Sequence, residues 1–234
     1  ADIPDAEALI RWYGPDGNMV PPDDFIPLAE AMGVIPEVTI FALRTAAKDL
    51  SGWAKKGVTV RVAVNVSALD IGASQFADTV SEIMSEYEVP PEQLALEVTE
   101  SALIRSAADV AATLSILRER GVRLSVDDYG TGQSTLSYLK HFPVHELKID
   151  KSFVMSLAHS DSDEIMVRST INLAHELGLQ VVAEGIEDQA TLDILRKLGC
   201  DYAQGYFISK PIAPDEFIKL VSQTATARPV AWSS

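Results

Sequence analysis

Several residue types are scarce in this chain of 234 residues, and each scarcity excludes a class of protein. Cys200 is the only cysteine, so a disulfide-stapled secreted domain is excluded and we expect Cys200 to be a small core residue. No apolar run approaches the roughly 18 residues of a membrane-spanning helix, and no signal peptide is recognisable. No histidine belongs to an H-E-x-x-H zinc motif, so we expect solvated or core roles for His141, His145, His159 and His175.

Positive charge is also scarce. The chain carries 19 Lys and Arg against 34 Asp and Glu, which gives a formal net charge of −15. Duplex binding depends on Lys and Arg neutralising phosphates, so we expect no long nucleic acid as a partner. A small phosphorylated ligand is compatible with this charge if a cation, such as a metal ion, offsets it at the site.

The length and the 47% hydrophobic composition favour a single domain with one buried core. We predict that this domain spans residues 1–222 and that residues 223–234 form a loosely ordered, small and polar tail. The chain begins at Ala1 without a methionine, close to a strand pattern, so we expect a fragment of a longer protein. We expect the domain to be cytoplasmic, although a membrane anchor or sensor could lie upstream.

Apolar, β-branched runs alternate with segments of helical spacing. The seven candidate strands are Ala6–Trp12, Thr59–Val66, Leu94–Thr99, Val122–Asp127, Glu146–Ile149, Leu179–Ala183 and Tyr202–Phe207. Ser106 with Asp109 is a candidate cap for one helix, and Asp161 or Ser162 for the long helix that Gly178 would end. This alternation predicts a parallel sheet and favours a TIM-like (β/α)₈ barrel, one strand short of eight. The alternative is a doubly wound open sheet, but no complete G-x-G-x-x-G follows the first strand.

Polar residues lie in or at the end of each predicted strand. They are Glu7, Asn65, Glu97, Asp127, Lys148, Glu184 and Gln204. In a barrel the strand ends converge on the face where active sites form. Buried carboxylates are costly unless they are paired or bound to a metal, so this cluster calls for a cation.

The residue types indicate which cation. Carboxylate and amide oxygens favour Mg²⁺ or Mn²⁺, and the adjacent pair Asp127 and Asp128 could serve two ions. Each residue also has an ordinary interpretation, such as a helix cap, a surface ion pair or a turn. Gly130–Gly132 could be a plain flexible loop and Lys148 an ordinary salt-bridge partner. The coincidence of all these strand ends favours the functional interpretation.

The same residues resemble the motifs of one family. Glu7-Ala8-Leu9 with Arg11 and Trp12 resembles the E-A-L-x-R-W signature of EAL domains. The further matching segments, in the family's order, are N-V-S at Asn65–Ser67, E-V-T-E at Glu97–Glu100, D-D-Y-G-T-G at Asp127–Gly132, K-I-D at Lys148–Asp150, A-E-G-I-E at Ala183–Glu187 and Q-G-Y at Gln204–Tyr206. The resemblance extends to about Val221.

The resemblance implies a barrel that hydrolyses cyclic di-GMP to linear pGpG with Mg²⁺ or Mn²⁺, through two ions. It implies metal ligation by Glu7, Asn65, Glu97, Asp127 and Asp128. It implies that Lys148 helps to orient and deprotonate the attacking water, with Asp150 and Glu184 completing the network and Glu100 fixing the loop Asp128–Ser134. It places the substrate against Leu9, Arg11, Glu187, Gln204 and Pro211. A homodimer and an upstream sensor or GGDEF domain are expected partners.

Three departures from the family's pattern stand out. The first family strand, with its Tyr-Gln-Pro pattern and a glutamine that touches ligand, is missing from this chain. Tyr129 stands where phenylalanine is usual, and Ile208 stands near the pocket where phenylalanine is frequent. None of these changes removes an expected metal ligand.

Two other functions are compatible with a chain of this kind. One is a degenerate EAL domain that binds cyclic di-GMP as a receptor or serves as a scaffold. The other is an unrelated Mg²⁺-dependent barrel of the enolase or aldolase type, for which Lys148 is the candidate Schiff-base lysine. Metal-dependent turnover would exclude the first, and borohydride trapping with a carbonyl substrate would test the second.

Overall fold

The computed structural model describes residues 5–105, 107–130 and 139–224. The expected cap at Ser106, most of the expected loop Asp128–Ser134, and residues 225–234 of the expected tail lie outside these ranges. The domain limits 1–222 therefore stay a prediction. Within the described ranges, no helix combines the length and the apolar character that crossing a membrane requires.

The nine strands assigned in the described residues are short. They are β1 (Asp5–Ala8), β2 (Trp12–Tyr13), β3 (Met19–Val20), β4 (Arg61–Asn65), β5 (Leu94–Thr99), β6 (Arg123–Tyr129), β7 (Glu146–Ile149), β8 (Gln180–Ala183) and β9 (Tyr202–Ala203). Strands β2 and β3 pair as a separate antiparallel hairpin. The other seven form one parallel sheet in the order β1-β4-β5-β6-β7-β8-β9.

This strand order confirms the barrel-type prediction over the doubly wound alternative. A doubly wound sheet reverses its strand order at a switch point. Here each sheet strand pairs with the next one along the chain, so the sheet curls in one direction. In the described residues β1 and β9 form the two edges of the sheet, which agrees with a barrel one strand short.

Helices connect consecutive strands of the sheet, and one further helix follows the last strand. They are α1 (Pro22–Met32), α2 (Ile35–Ala54), α3 (Ala68–Ile71), α4 (Phe76–Glu86), α5 (Glu100–Arg105), α6 (Ala107–Glu119), α7 (Lys151–Val154), α8 (Asp161–Glu176), α9 (Gln189–Lys197) and α10 (Pro214–Thr224). Helix α8 is capped by Ser160, whose hydroxyl accepts from Asp163 N. The predicted cap, Asp161 or Ser162, was therefore wrong by one or two residues. It ends before Gly178, as predicted, where the backbone turns through φ 75°.

Two predicted strands extend too far. The strand predicted over Ala6–Trp12 ends at Ala8, because the chain leaves the sheet and the Trp12 ring packs edge-on against Phe25 at 5.4 Å between centroids. The strand predicted over Tyr202–Phe207 ends at Ala203. There the backbone turns, with Phe207 N donating to Ile186 O and Ile208 N to Gly205 O. Apolar sequence alone does not reveal either turn.

The core lies between the sheet and the helices. Leu96 and Val98 of β5 are buried and, because side chains alternate along a strand, they point away from the face that carries Glu97. Helix α2 packs on β4, and its Leu43 and Leu50 are both 1% exposed. Cys200 is a buried free thiol near the carbonyl oxygens of Val181 and Tyr202, which confirms its predicted core role. The alternation places polar side chains such as Asn65 and Glu97, which are paired in register, on the inner face of the sheet.

Candidate active site

The carboxyl ends of the parallel strands bring the predicted site residues to one place. Register pairs Asn65 of β4 with Glu97 of β5, and Asp127 of β6 with Thr99 at the end of β5. Lys148 of β7 pairs with Val182 of β8, and Glu184 follows β8 directly. Because these strands run in the same direction, their polar residues meet at one mouth of the curled sheet.

Lys148 is the centre of this cluster, and its side chain is only 2% exposed. The Nζ atom lies 2.5 Å from Glu184 Oε1 and 2.9 Å from Glu97 Oε1. It lies 3.5 Å from Asp127 Oδ1 and 3.7 Å from Glu7 Oε2. One buried ammonium thus contacts four carboxylates from four parts of the chain.

Glu7 of β1 is hydrogen-bonded to β4 and to the residue that follows β9. Its Oε1 accepts a 2.7 Å hydrogen bond from Asn65 Nδ2, and its Oε2 accepts one of 2.7 Å from Gln204 Nε2. These bonds and Lys148 together lower the pKa of Glu7, although burial by itself, the largest single influence, would raise it. Glu7 is therefore held as a carboxylate.

The pKa values of two other acids, Glu97 and Glu184, are raised, in contrast to that of Glu7. The pKa of Glu97 lies well above its ordinary value, because burial of the carboxyl outweighs the attraction of Lys148. Burial also raises the pKa of Glu184 to about 7, again against the attraction of Lys148. For Lys148, burial lowers the pKa but the four carboxylates more than reverse this, so its pKa lies above the ordinary value and it stays an ammonium ion.

Asp127 and Asp128 lie near the end of β6, where the pairing of the strand is irregular. The register with β7 shifts between Val126 and Tyr129, and Asp128 has a φ of 55°, in the left-handed region. Asp127 Oδ1 accepts the backbone N–H of Asp128 at 2.9 Å. Burial, followed by the charges of Asp127 and Asp150, raises the pKa of Asp128. A left-handed non-glycine residue is costly, and such outliers cluster at functional sites.

Asp150 and Glu100 contact the backbone around this cluster. Asp150 is buried and caps α7, where its Oδ1 accepts from Ser152 N at 3.0 Å and from the Ser152 hydroxyl. Glu100 is buried and its Oε2 accepts from Gly130 N at 3.0 Å. Both carboxylates thus contact the segments that follow the strand ends, and the expected role of Glu100 in fixing the loop Asp128–Ser134 stays a prediction.

The five expected substrate-binding residues are placed less uniformly. Gln204 contacts the cluster through Glu7. Leu9, Arg11, Glu187 and Pro211 are exposed. The Arg11 guanidinium donates to the neighbouring carbonyl of Ile10 at 3.0 Å. In the described part of the chain, the cluster itself therefore includes only Gln204 of this set.

Sequence reasoning missed a buried acid in the helix that follows the N-V-S motif. Asp70 of α3 is 3% exposed and accepts a 2.5 Å hydrogen bond from Thr39, while its Oδ1 has no hydrogen-bond partner in the described structure. Burial raises its pKa. It lies just beyond Ser67, which caps α3 and donates to Glu30 at 2.6 Å. The available signal was an aspartate inside an apolar segment directly after the N-V-S motif.

The histidines take structural positions. His145 Nδ1 accepts the backbone N–H of Leu124 at 3.1 Å, and burial lowers the pKa of His145 to about 4. His175 Nε2 lies 2.8 Å from Asp201. His159 is exposed, and the His141 side chain lies outside what the structure describes. These contacts agree with the predicted solvated or core roles.

The donor set fits a hard divalent cation. Glu97 Oε2 is buried and has no hydrogen-bond partner in the described structure, and every candidate ligand at this mouth is an oxygen donor. Across residues 5–105, 107–130 and 139–224, no three His, Cys, Asp or Glu side chains stand in a ready-made metal-binding arrangement. Instead, Lys148 Nζ lies among the carboxylates.

Comparison with known proteins identifies the family. The sequence model of the EAL domain family matches residues 1–211 of this chain. The chain is 41% identical over 216 residues to the signaling protein YkoW of Bacillus subtilis, covering 92% of this chain and 27% of YkoW. It is 39% identical over 210 residues to the cyclic di-GMP phosphodiesterase PA2567 of Pseudomonas aeruginosa, covering 90% of this chain and 36% of that protein.

A solved structure of the PaMucR phosphodiesterase in complex with c-di-GMP superimposes with a TM-score of 0.85 at 37% identity, covering 90% of this chain and 86% of the other. The chain spans about a quarter to a third of the curated relatives named above, 27% and 36%. The EAL family match covers nearly all of the described fold. The two curated relatives are 41% and 39% identical to this chain over about nine-tenths of its length. The chain therefore belongs to the EAL domain family.

Proposed function

We propose that this chain hydrolyses cyclic di-GMP to linear pGpG with a divalent metal, Mg²⁺ or Mn²⁺. The observation that carries the proposal is the buried Lys148 ammonium in contact with four carboxylates at the carboxyl mouth of the sheet. Support also comes from the relatives, since one is named a cyclic di-GMP phosphodiesterase and another was solved with c-di-GMP.

Five oxygen-donor residues would hold the metal, as two ions. They are Glu7, Asn65, Glu97, Asp127 and Asp128. Bound ions of this kind lower the pKa of a bound water and shield the negative phosphodiester. The −15 net charge of the chain makes that shielding necessary, because the acidic surface repels the substrate.

Lys148 and Glu184 would act on the attacking water in two different ways: Lys148 would orient it and Glu184 would accept its proton. A lysine held as an ammonium ion can donate hydrogen bonds and orient the water, but it has no lone pair with which to accept a proton. Glu184, 2.5 Å from Lys148 and with its pKa raised to about 7, is suited to take that proton. The structure thus favours the orienting half of the role expected for Lys148.

The remaining residues would position the substrate. Arg11 is exposed, and its guanidinium suits a phosphate oxygen. Gln204, Glu187, Leu9 and Pro211 would line the nucleotide pocket. Glu100 would fix the loop after β6 through Gly130 N, and Asp150 would fix the segment after β7 through Ser152.

The aldolase alternative is disfavoured by the same lysine. Schiff-base formation needs a neutral, accessible amine. Lys148 is 1% exposed and its pKa is raised rather than lowered. The homodimer, the cytoplasmic location and an upstream sensor or GGDEF domain stay predictions. The last is supported by the fraction of its relatives that the chain spans and by similarity to the bifunctional diguanylate cyclase/cyclic di-GMP phosphodiesterase MucR.

The test is hydrolysis of cyclic di-GMP by the purified chain, followed by HPLC with Mg²⁺, Mn²⁺ or EDTA. The wild type should form pGpG only with metal, and Glu7→Ala should form none. Glu119→Ala removes an exposed carboxylate at the end of α6 and should leave the rate unchanged. Nucleotide binding without turnover would favour the receptor function.

A further inference from the structure

The Lys148 ammonium is placed where it neutralises the carboxylates that the proposed metal site needs. Glu7, Glu97 and Asp127, which approach Lys148 Nζ within 3.7 Å, are expected metal ligands. They come from β1, β5 and β6, and Lys148 of β7 lies within 3.7 Å of all three. In the described residues, no other Lys or Arg forms an ion pair with any of them.

The cost of assembling these acids is electrostatic. Four carboxylates face one ammonium, and the side chains of Glu97 and Lys148 are 3% and 2% exposed. Buried like charges repel strongly, because water does not screen them. Without the ammonium, the mouth would hold several partly buried carboxylates and no opposing charge. Lys148 therefore stabilises the fold, in addition to its proposed role in the reaction.

We propose that Lys148 is a resident counter-cation of the metal-free chain. It keeps the carboxylates of the mouth assembled when no metal is bound, and it competes with a divalent cation for the same oxygens. Lys148 thereby lowers the affinity of the site for metal, so the occupancy of the site depends on the ambient metal concentration. This inference rests on the proposed metal site and adds the residue that sets its affinity.

The first measurement is Mn²⁺ binding by calorimetry to the wild type and to Lys148→Met. Methionine keeps the length of the side chain and removes its charge. Removing a unit positive charge a few ångströms from the ion should tighten Mn²⁺ binding by about tenfold or more. An unchanged or weaker affinity would overturn the inference, because it would mean that Lys148 does not compete with the metal or helps to organise the site for it.

The second measurement is thermal unfolding with EDTA and with saturating Mn²⁺. In EDTA, Lys148→Met should melt about 10 °C below the wild type, because breaking a buried charge pair costs several kcal/mol. Saturating Mn²⁺ should raise its Tm more than that of the wild type. Equal metal-induced shifts in both proteins would contradict the proposal.

Two further variants keep the test decisive. Lys148→Gln is neutral but still donates hydrogen bonds, so it offers a folded alternative if Lys148→Met is unstable, and it should also bind Mn²⁺ more tightly than the wild type does. Lys197→Met makes the same chemical change at an exposed position at the end of α9, and should behave like the wild type. A similar gain in affinity in Lys197→Met would show that only the net charge of the chain matters, which would overturn the proposal.

These readouts are separate from hydrolysis. If the wild type binds Mn²⁺ and Lys148→Met binds it no more tightly, the inference fails while the proposed function stands. If Mn²⁺ binding follows the prediction but no cyclic di-GMP is hydrolysed, the proposed function fails while the counter-cation role stands. If the wild type binds no Mn²⁺, both fail.

Discussion

The side-chain amide of Gln204 donates a 2.7 Å hydrogen bond to Glu7 Oε2, between residues 197 positions apart in the chain. Gln204 follows the last strand of the sheet and Glu7 lies in the first, so this bond connects the two edges of the curled sheet. Glu7 also accepts from Asn65 and lies near Lys148. The closure of the fold and the proposed metal site therefore share a residue.

We expect Gln204→Glu to be more harmful than Gln204→Ala. Alanine removes one hydrogen bond, whereas glutamate places a second carboxylate against that of Glu7. The additional loss in the free energy of unfolding should be about 1–3 kcal/mol at pH 7, the cost of a partly buried like-charge pair. Urea denaturation at pH 7 measures it. Equal midpoints for the two variants would show that the Glu7 carboxylate is open to solvent at this contact.

Gly205→Ala should strongly destabilise the fold. A Cβ at Gly205 would lie 2.2 Å from Ile186 O and 2.3 Å from Ile186 N, and both atoms belong to the backbone. Relief requires moving the turn that carries Gln204, which we expect to cost roughly 3 kcal/mol in the free energy of unfolding.

The matched control is Gly52→Ala in α2. A Cβ there meets no atom within 4 Å. Alanine in a helix interior should raise the free energy of unfolding by about 0.5–1 kcal/mol. Chemical denaturation of both variants provides the comparison. If Gly205→Ala were as stable as the wild type, the Ile186 backbone would be able to move away from the added Cβ at little cost in free energy.

Glu184→Gln should lower kcat with little change in KM. Glutamine keeps the shape of the side chain and a hydrogen-bonding oxygen but cannot accept a proton, and the loss of a general base typically costs about 10²–10⁴-fold. Steady-state hydrolysis of cyclic di-GMP with saturating metal measures both constants. Glu119→Gln, at the exposed end of α6, is the control. A rise in KM at constant kcat would instead assign Glu184 to substrate binding.

His145 should make the stability of the fold depend on pH. Its pKa falls to about 4 in the folded chain because of burial, followed by the charges of Arg123, Arg118 and Arg61. A group whose pKa is depressed on folding stabilises the fold above its unfolded pKa of about 6.5. That contribution is lost progressively as the pH falls from about 6.5 towards 4.

The comparison is with His145→Asn, which can still accept from Leu124 N but does not titrate. Between pH 7.5 and pH 5 the wild type should lose more stability than the variant, by about 1 kcal/mol or roughly 2–4 °C in Tm once the partial exposure of His145 is taken into account. Thermal melts at the two pH values measure the difference. Parallel losses in the two proteins would indicate that His145 is not desolvated in solution.

Strand identity was readable from the sequence because it depends on local pattern. The predicted strands are short segments that carry a polar residue within them or at their end, and those predicted over Leu94–Thr99 and Glu146–Ile149 match the structure to the residue. The ends were less predictable where tertiary contacts decide them. Trp12 lies outside the parallel sheet and packs against Phe25, and Phe207 turns towards Ile186, although both residues are large, aromatic and typical of strands.

For the site, the sequence by itself determined which polar residues end the strands and, through the order of the motifs, which family they indicate. The tertiary structure decided which of them contact one another. Lys148 is one residue of a K-I-D motif in the sequence, yet its position among four carboxylates results from the curl of the sheet. Likewise, Thr39 and Asp70 meet only when α2 packs against α3. Local pattern specifies elements, whereas burial and charge pairing between distant elements exist only once the chain is folded.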